Sequence, residues 1–238
     1  MKVITYDIEV SPLKAWMYGT KWEPKLVKII EQQKILSFAY KVLGEKKTHV
    51  IANMPEKKML KEIWSVLDDC DVAIGHNLDK FDRRMMNAFF LRNGMKPPSP
   101  YHTIDTLKIA RRHFYLPSNS LKDVAIELGL NPKLDCGFEL VEGCMAGDPK
   151  AWKAYKAYNK RDVTLTEEIY IILRPWDTNP VSITSEEGAC TSCGGHSLKK
   201  KGTRFNKSGT QEYQRYICGD CGAWKQETRG IKTGVSIK

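Results

Sequence analysis

The sequence predicts an α/β domain built on a mixed β-sheet flanked by helices, followed by a small C-terminal β module. Up to residue 53 extended apolar segments dominate, and from residue 55 onward short extended segments alternate with amphipathic helical ones. Strands first and strand–helix alternation afterwards are typical of a sheet that is partly antiparallel and partly parallel. The end of the chain is rich in lysine and carries two C-x-x-C pairs, which indicates a separate metal-binding unit.

The first predicted strand is VITYDIEV, at residues 3–10. Side chains alternate along a strand, so Asp7 and Glu9 lie on one face while apolar side chains occupy the other. Two like charges this close destabilise the fold unless a cation lies between them. The strand therefore predicts a cation site as well as a core element.

The next segments predict a loop, a hairpin and a helix. Residues 11–24, rich in proline and aromatic side chains, predict a loop. Residues 34–44 and 47–53 predict two strands joined by a glycine-containing turn. Residues 55–70 predict an amphipathic helix, because Pro55 suits its first turn and apolar residues recur at helical spacing.

Further along the α/β region, capping residues mark several helix ends. Gly94 is typical of the position just after a helix, and Ser120 is typical of an N-cap. Asp148 is a second predicted N-cap, and Pro149 follows it at the first helical position. The predicted elements are a strand at 71–75, a helix at 79–94, a strand that turns helical at 102–112, and helices at 120–129 and 149–173.

Composition divides the chain into a predicted domain at residues 1–175, a linker at 176–187 and a module at 188–238. Of the net charge of +10, +7 comes from residues 188–238, which contain ten Lys or Arg and three acidic residues. Such a basic segment indicates a polyanionic partner. No segment has the roughly 18 apolar residues of a membrane span, and the chain begins on a strand without a signal peptide. We therefore expect a cytoplasmic protein that does not contact a membrane.

Two further acids join Asp7 and Glu9 as candidate metal ligands. Asp82 stands in IGHNLDKFD, at the predicted entry to a helix, and Asp162 stands four residues after Tyr158 in YNKRD. Residues four apart share one helix face. Carboxylates are the ligands that Mg²⁺ and Mn²⁺ prefer, and two such ions about 4 Å apart assist phosphodiester cleavage.

These residues carry a resemblance to a known family. The patterns D-x-E at 7–9, N-x-x-x-F-D at 77–82 and Y-x-x-x-D at 158–162 resemble the three motifs of the DEDD superfamily of 3′–5′ exonucleases, in its tyrosine-bearing branch. The resemblance spans residues 1–175 and implies a ribonuclease-H-like fold. The second motif is similar to that of family B DNA polymerase exonuclease domains. The length, the DIEVSP start and the tryptophan-bearing segment after it look more like stand-alone bacteriophage exonucleases, which implies a bacterial or infected-host cytosol.

The resemblance also implies residue roles. Asp7 would bridge two Mg²⁺ or Mn²⁺ ions, Glu9 and Asp162 would complete the first site, and Asp82 would hold the second. Tyr158 would orient the attacking water, and the products would be 5′-mononucleotides.

Four residues near these motifs have two interpretations each. By the resemblance, Asn77 and Phe81 would contact the substrate strand or support the site, although Phe81 is equally suited to the core. We interpret His76 as a loop hydrogen-bonding residue in preference to a catalytic one. Asp105 is either an N-cap or a support for the acidic residues.

The four C-terminal cysteines predict a structural zinc site. Two C-x-x-C pairs, with 24 residues between them, indicate a Cys₄ site with one Zn²⁺ and no open coordination position. The segment resembles a zinc ribbon, and about fifty residues have too little core to fold without the ion. The ligands would be Cys190, Cys193, Cys218 and Cys221.

Between the cysteine pairs, cations alternate with aromatic residues. This combination favours phosphate binding and base stacking, although a solvated basic hairpin or a protein-docking surface has the same composition. The candidate nucleic-acid contacts are Lys199, Lys200, Lys201, Arg204, Phe205 and Arg215.

The resulting hypothesis is a two-metal-ion 3′–5′ exonuclease that degrades single-stranded DNA, with RNA as the second substrate choice and a replication or repair protein as a candidate partner. One alternative is a nucleic-acid-binding or assembly factor that has lost activity. Another is a ribonuclease-H-like endonuclease that cuts within a strand or at a Holliday junction. The four acids together with Tyr158 argue against the first alternative, and the position of Tyr158 four residues before Asp162 argues against the second.

Overall fold

The computed structural model describes residues 1–19, 25–131, 136–227 and 231–232. Its strands are β1 (Val3–Val10), β2 (Lys14–Tyr18), β3 (Lys25–Glu31), β4 (Ile35–Val42), β5 (Thr48–Ala52), β6 (Val72–Gly75), β7 (His102–Asp105), β8 (Leu198–Phe205), β9 (Gln211–Cys218), β10 (Trp224–Gln226) and β11 (Ile231–Lys232). Its α-helices are α1 (Glu56–Asp68), α2 (Asp82–Arg92), α3 (Thr106–His113), α4 (Leu121–Glu127), α5 (Phe138–Met145) and α6 (Pro149–Leu173). A short 3₁₀ helix, Arg174–Trp176, follows α6.

The main sheet has five strands in the order β5-β4-β1-β6-β7. β4 is antiparallel to both β1 and β5, whereas β6 is parallel to both β1 and β7. The predicted mixed sheet is therefore confirmed. β1 lies at its centre, where both faces are covered.

The two faces of β1 contribute to different parts of the molecule. Ile4, Tyr6 and Ile8 pack into a core cluster with apolar residues of α1 and α2. On the other face, Val3 packs with β6 and β7 and with α3, α4 and α6. Since side chains alternate along β1, Asp7 points to the α6 side of the sheet, as Val3 does. The alternation that the sequence predicted for this strand is confirmed.

Most predicted elements form at the expected places, and three details differ. The predicted loop at 11–24 is wrong for its described part, because Lys14–Tyr18 and Lys25–Glu31 form a two-stranded antiparallel sheet. Aromatic and β-branched residues favour strands, and here they prevail over the flanking prolines. Helix α5 was not predicted. Helix α2 begins at Asp82 rather than at 79, because Asn77 takes the left-handed conformation (φ 65°) and the chain turns before the helix starts.

The C-terminal module is a four-stranded antiparallel sheet centred on β9. β8 pairs with one edge of β9, and β10 and β11 pair with the other. Residues 177–190 contain no helix or strand, yet Val181 and Ile183 pack against the core cluster that contains α6. Within the described residues, no helix is long and apolar enough to cross a membrane.

Candidate functional site

Three of the four predicted acidic ligands come together where β1 meets α6. Carboxylate oxygens of Asp7, Glu9 and Asp162 all lie within 4.8 Å of one another. Two of these residues belong to the α6 side of β1, and the third comes from a helix that begins some 140 residues later in the sequence. Three carboxylates at this separation repel one another strongly unless protons or a cation compensate.

Two buried residues of α6 hold these carboxylates in place. Asn159, which is fully buried, donates from Nδ2 to Asp7 Oδ2 at 2.7 Å and accepts at Oδ1 from the Ser37 hydroxyl at 2.9 Å. This fixes the orientation of the amide. The Tyr155 hydroxyl donates to Glu9 Oε2 at 3.3 Å. The α6 side chain amide and phenol thereby set the positions of both β1 carboxylates.

Tyr158 lies beside the cluster as a neutral phenol. Its hydroxyl hydrogen-bonds the Asp162 carboxylate, and its ring stacks on Tyr155 with centroids 6.2 Å apart. Burial, and then the charges of Asp162, Glu9 and Asp7, raise the pKa of Tyr158 well above its ordinary value. Because the phenol stays protonated, it is a hydrogen-bond donor within reach of the acidic cluster.

Asp82 lies outside the three-acid group but against the same strand. Its carboxylate, 3% exposed, accepts the Ile8 backbone N–H at Oδ1, at 3.1 Å. β6 pairs with β1 only as far as Thr5, so this carboxylate takes the place of the next ladder partner. Burial raises the pKa of Asp82 to about 7, against the opposing effect of the Ile8 N–H.

Asp105 combines both predicted roles. Its Oδ1 accepts from Leu107 N at 3.1 Å, as the N-cap of α3, and from Asn77 N at 2.9 Å. Its Oδ2 accepts from Asp79 N at 3.4 Å. The carboxylate thus ties the left-handed turn at Asn77 to the start of α3, and this turn leads into Asp82.

His76 and Phe81 can now be interpreted from their contacts. His76 hydrogen-bonds Thr106 Oγ1 through Nδ1 and Asn119 O through Nε2, both at 2.9 Å, so the interpretation as a loop hydrogen-bonding residue is confirmed. Phe81 is 39% exposed, so the interpretation as a core residue is wrong.

The sequence pattern did not reveal Tyr155, Asn159 or Ser37 as parts of the site. Tyr155 fitted an ordinary core stripe of α6. The available signal was the helical spacing of residues 155, 158, 159 and 162, which places them on one side of α6. Ser37 carried no local signal, because only the pairing of β4 with β1 brings it there.

The four C-terminal cysteines form a second candidate metal site. Their Sγ atoms all lie within 4.8 Å of one another, with Cys190–Cys221 at 3.8 Å and Cys193–Cys218 at 3.6 Å. A tetrahedral Zn²⁺ with Zn–S bonds of about 2.3 Å places its sulfur atoms about 3.8 Å apart. The sulfur positions therefore fit a Cys₄ zinc ion.

The two cysteine pairs have the same backbone geometry. Gly194 and Gly222 both have positive φ, 76° and 78°. Their N–H groups donate to Cys190 O at 2.7 Å and Cys218 O at 2.9 Å respectively. Each pair thus forms a tight turn that turns both thiols toward a common centre. A glycine follows each pair because L side chains rarely adopt this conformation.

The close packing of the four thiols favours a bound cation. Burial raises the pKa of the Cys193 thiol to about 12 and also raises that of Cys221, whereas backbone N–H groups of Cys221 and Asp220 help to lower the pKa of Cys218 against the effect of burial. The neighbouring Lys225 ammonium, whose pKa burial lowers, donates to Ser192 Oγ at 2.6 Å. Four thiolates this close would repel one another, and a bound metal ion would supply the compensating positive charge.

The candidate nucleic-acid contacts of the module lie on β8 and β9. Arg215 differs from the others, because it is partly buried and its guanidinium lies over the Trp224 ring, 5.3 Å from the centroid. The exposed members all belong to β8: Lys199, Lys200, Lys201, Arg204 and Phe205.

Comparison with known proteins agrees with the architecture. A family model of the RNase H superfamily matches residues 30–174, a range that contains Asp82, Tyr158 and Asp162 and begins after Glu9. No curated protein matches the chain.

Among solved structures, the chain is similar to the family B DNA polymerase of the hyperthermophilic archaeon Pyrobaculum calidifontis, with a TM-score of 0.53 and 15% sequence identity. The similar region covers 91% of this chain and 32% of the polymerase chain. At this identity the similarity concerns the fold alone. With the family match over more than half of its residues, the chain belongs to the RNase H superfamily.

Proposed function

We propose that the protein is a divalent-metal-dependent 3′–5′ exonuclease that releases 5′-mononucleotides from single-stranded DNA. The observation that carries the proposal is the convergence of Asp7, Glu9 and Asp162 within 4.8 Å on a fold of the RNase H superfamily. Tyr158 beside them, as a protonated donor, supports a tyrosine-type exonuclease. The 3′–5′ polarity rests on the resemblance of the three motifs.

The donor set suits Mg²⁺ or Mn²⁺. Asp7, Glu9 and Asp162 offer hard oxygen ligands for a first ion, and Asp82 would hold a second ion together with Asp7. When bound, such ions polarise the phosphodiester and activate a water molecule. These acids come from distant parts of the chain and meet at one point of the fold, which favours a metal site over a chance cluster of surface acids.

The chain's own residues would orient the reactants. Asn159 holds Asp7 and Tyr155 holds Glu9, so both β1 carboxylates keep one orientation. The Tyr158 hydroxyl donates its one proton to Asp162, so its oxygen would accept a hydrogen bond from the water and position it for in-line attack on the terminal phosphodiester. This arrangement assigns no proton transfer to Tyr158, whose raised pKa keeps it protonated.

The C-terminal module would bind one structural Zn²⁺ and add affinity for nucleic acid. The 3.6 and 3.8 Å sulfur separations support the zinc site. The exposed cations of β8 support contact with phosphates. The resemblance of the second motif, at residues 77–82, to that of family B DNA polymerase exonuclease domains favours DNA over RNA as substrate.

Cleavage of 5′-end-labelled single-stranded DNA, with the matching RNA in parallel, tests this function. With Mg²⁺ or Mn²⁺ we expect a ladder that shortens from the 3′ end. Chelation with EDTA and the substitution Asp7→Ala should each abolish it. Glu45→Ala, which removes an exposed acid in the turn between β4 and β5, is the matched control and should leave the ladder intact.

Three outcomes would contradict the proposal in different ways. Cuts within the strand would favour an endonuclease of this superfamily. Degradation of RNA alone would make the protein an exoribonuclease. Binding without cleavage under every metal condition would favour a nucleic-acid-binding factor.

A further inference from the structure

A β-arm leaves the main sheet directly after the strand that carries Asp7 and Glu9. We call the paired strands β2 and β3 the arm. Its base is closed by two hydrogen bonds: Ser11 N donates to Lys34 O at 2.8 Å, and Lys34 N donates to Ser11 Oγ at 2.9 Å. Trp16 follows Glu9 by seven residues, so even a fully extended chain keeps it within about 25 Å of the acidic cluster.

The two faces of the arm differ in chemistry. Residues that pair directly across a sheet share a face. Trp16 pairs with Lys28 and Tyr18 with Lys25, and a register shift at Val27 places these two lysines on the same side of β3. One face therefore alternates aromatic rings with ammonium groups. Met17 pairs with Leu26 and Ala15 with Ile29, so the opposite face is aliphatic. We call the first of these the aromatic–basic face.

The aromatic rings of this face are left exposed. Trp16 is 65% and Tyr18 is 74% exposed, and the two lysines beside them are exposed as well. Proteins bury most aromatic surface, so a row of exposed rings rimmed by charge is typical of a binding surface.

The positive charge of the arm favours an anionic ligand. Among the described residues 11–19 and 25–34 there are four lysines and one acidic residue, Glu31. Glu31 already lies 3.3 Å from Lys14 and 3.9 Å from Lys34, so Lys25 and Lys28 are the ammonium groups that remain beside the rings. Rings spaced between cations match the alternation of bases and phosphates in a single strand. The aliphatic face, where Met17 and Leu26 are also exposed, pairs no lysine with an aromatic ring and would instead suit a protein partner.

We propose that the aromatic–basic face binds single-stranded nucleic acid, with bases stacked on Trp16 and Tyr18 and phosphates at Lys25 and Lys28. This inference rests on the proposed function, since it assigns the arm to the substrate strand whose 3′ end reaches Asp7 and Glu9. The arm would then be a substrate-binding surface within the α/β domain, separate from β8 of the C-terminal module.

Fluorescence anisotropy with a 5′-fluorescein-labelled, nuclease-resistant phosphorothioate oligothymidylate tests the inference on the full-length protein. Trp16→Ala and Tyr18→Ala should each raise the Kd about tenfold, the effect of losing one stacked base. Trp16→Phe should retain most of the affinity. The double variant Lys25→Ala/Lys28→Ala should lower the slope of log Kd against log salt by about 1.4, for two phosphates on a single strand.

Met17→Ala, on the aliphatic face of the same strand, is the matched control and should bind with the parent's Kd. The inference is overturned if the two aromatic variants bind as tightly as the parent, or if Met17→Ala weakens binding as much as they do. It is also overturned if light scattering shows that the aromatic variants change the oligomeric state while the Kd stays constant, since the arm is then a protein interface.

The arm inference and the proposed function can be refuted independently of each other. If the parent cleaves the labelled DNA but the arm variants bind normally, the arm inference fails and the proposed function stands. If no metal supports cleavage but the arm variants lose affinity, the proposed function fails and the arm remains a nucleic-acid-binding surface.

Discussion

At the scale of single residues, Asn159 links the acidic cluster to the interior of the sheet. One amide spans β4 and β1, accepting from Ser37 and donating to Asp7. Groups that orient a metal ligand without touching the metal often matter for metal affinity nearly as much as the ligands do. If Asp7 is the metal ligand proposed above, Asn159 positions it, and loss of Asn159 should change the metal dependence of the proposed reaction.

We expect Asn159→Ala to lower the apparent affinity for Mg²⁺ about 10- to 100-fold, because Asp7 loses the donor that orients it. The measurement is the rate of DNA cleavage as a function of Mg²⁺ concentration. Lys160→Ala, at an exposed neighbouring position of α6, is the control and should match the parent. A variant with a lower maximal rate but the parent's Mg²⁺ dependence would contradict a role through Asp7.

Asp82 predicts a pH dependence of stability. Its pKa rises from an ordinary value of 3.8 to about 7 in the folded protein, mainly through burial. A raised folded-state pKa means that the stabilising contribution is complete below pH 4 and is lost as the pH rises through 7. In Mg²⁺-free buffer this loss amounts to about 4 kcal/mol at most, since one pKa unit corresponds to about 1.4 kcal/mol.

Asp82→Asn should remove this loss, because the amide can still accept the Ile8 N–H and does not ionise. Urea unfolding of both proteins between pH 5 and pH 8, with zinc retained and Mg²⁺ absent, checks the prediction. We expect the variant's advantage to grow toward pH 8 and to shrink when Mg²⁺ is added. An advantage that is constant across this pH range would show that Asp82 does not titrate there.

At the scale of elements, the site depends on three features of the strands and helices around it. β1 runs past the end of β6, α2 begins at Asp82, and α6 presents one polar side to β1. The turn at Asn77 determines where α2 begins, and Asp105 holds that turn through backbone N–H groups of Asn77 and Asp79. The position of Asp82 is thus set by a neighbouring carboxylate that lies outside the three-acid group.

We expect Asp105→Ala to destabilise the fold by about 2–4 kcal/mol. The substitution removes an N-cap and leaves the part-buried N–H groups of Asn77 and Asp79 without their acceptor. Urea denaturation measures the change, and Asp105→Asn, which keeps an acceptor, should recover part of it. Glu127→Ala, at an exposed position of α4, serves as control. A loss for Asp105→Ala below about 1 kcal/mol, the usual value of an N-cap alone, would exclude the anchoring role.

The same elements show what sequence patterns can and cannot predict. β1 and α6 were predictable because alternation and helix caps are encoded in neighbouring residues. The arm was not predictable in this way. Its two strands hydrogen-bond each other and bury neither face against the core, so their sequences lack the alternation of apolar and polar residues that marks a half-buried strand. Asn159 and Ser37 escaped because their roles arise only when β4 and α6 meet on β1. The position of Asp82 outside the three-acid group likewise depends on packing between distant segments.

At the scale of the whole molecule, the C-terminal module contacts the α/β domain close to its cysteine turns. The Tyr170 hydroxyl of α6 donates to Ser192 O at 3.3 Å, within the first C-x-x-C pair. Ile183 N donates to Thr191 O at 3.0 Å in the same pair. The conformation of the first cysteine turn therefore influences how the module meets α6. A metal ion bound by the four cysteines would hold this turn and thereby also hold the module against α6.

Removal of the proposed zinc ion should unfold the C-terminal module and leave the α/β domain folded. The module has a small core, in which only Cys190, Cys218 and Ala223 are buried among its described apolar residues. Such a core needs the metal to fold. We expect Cys218→Ser to lose the proposed zinc ion and to become sensitive to proteases within 188–227. The α/β domain should stay folded and keep its Mg²⁺-dependent cleavage.

Metal analysis, limited proteolysis and DNA binding measure these effects on the full chain. Because the exposed cations of β8 would lose their fixed arrangement, binding of single-stranded DNA should weaken, and its salt dependence should become shallower by about 0.7 for each phosphate that the module no longer neutralises. Cys136→Ser, outside the four-cysteine cluster, should keep the parent's zinc and protease resistance. Parent-like zinc content in Cys218→Ser would refute the Cys₄ site. Zinc loss with unchanged DNA affinity would instead make the module a structural or protein-docking unit, and the arm would then be the principal nucleic-acid contact outside the acidic cluster.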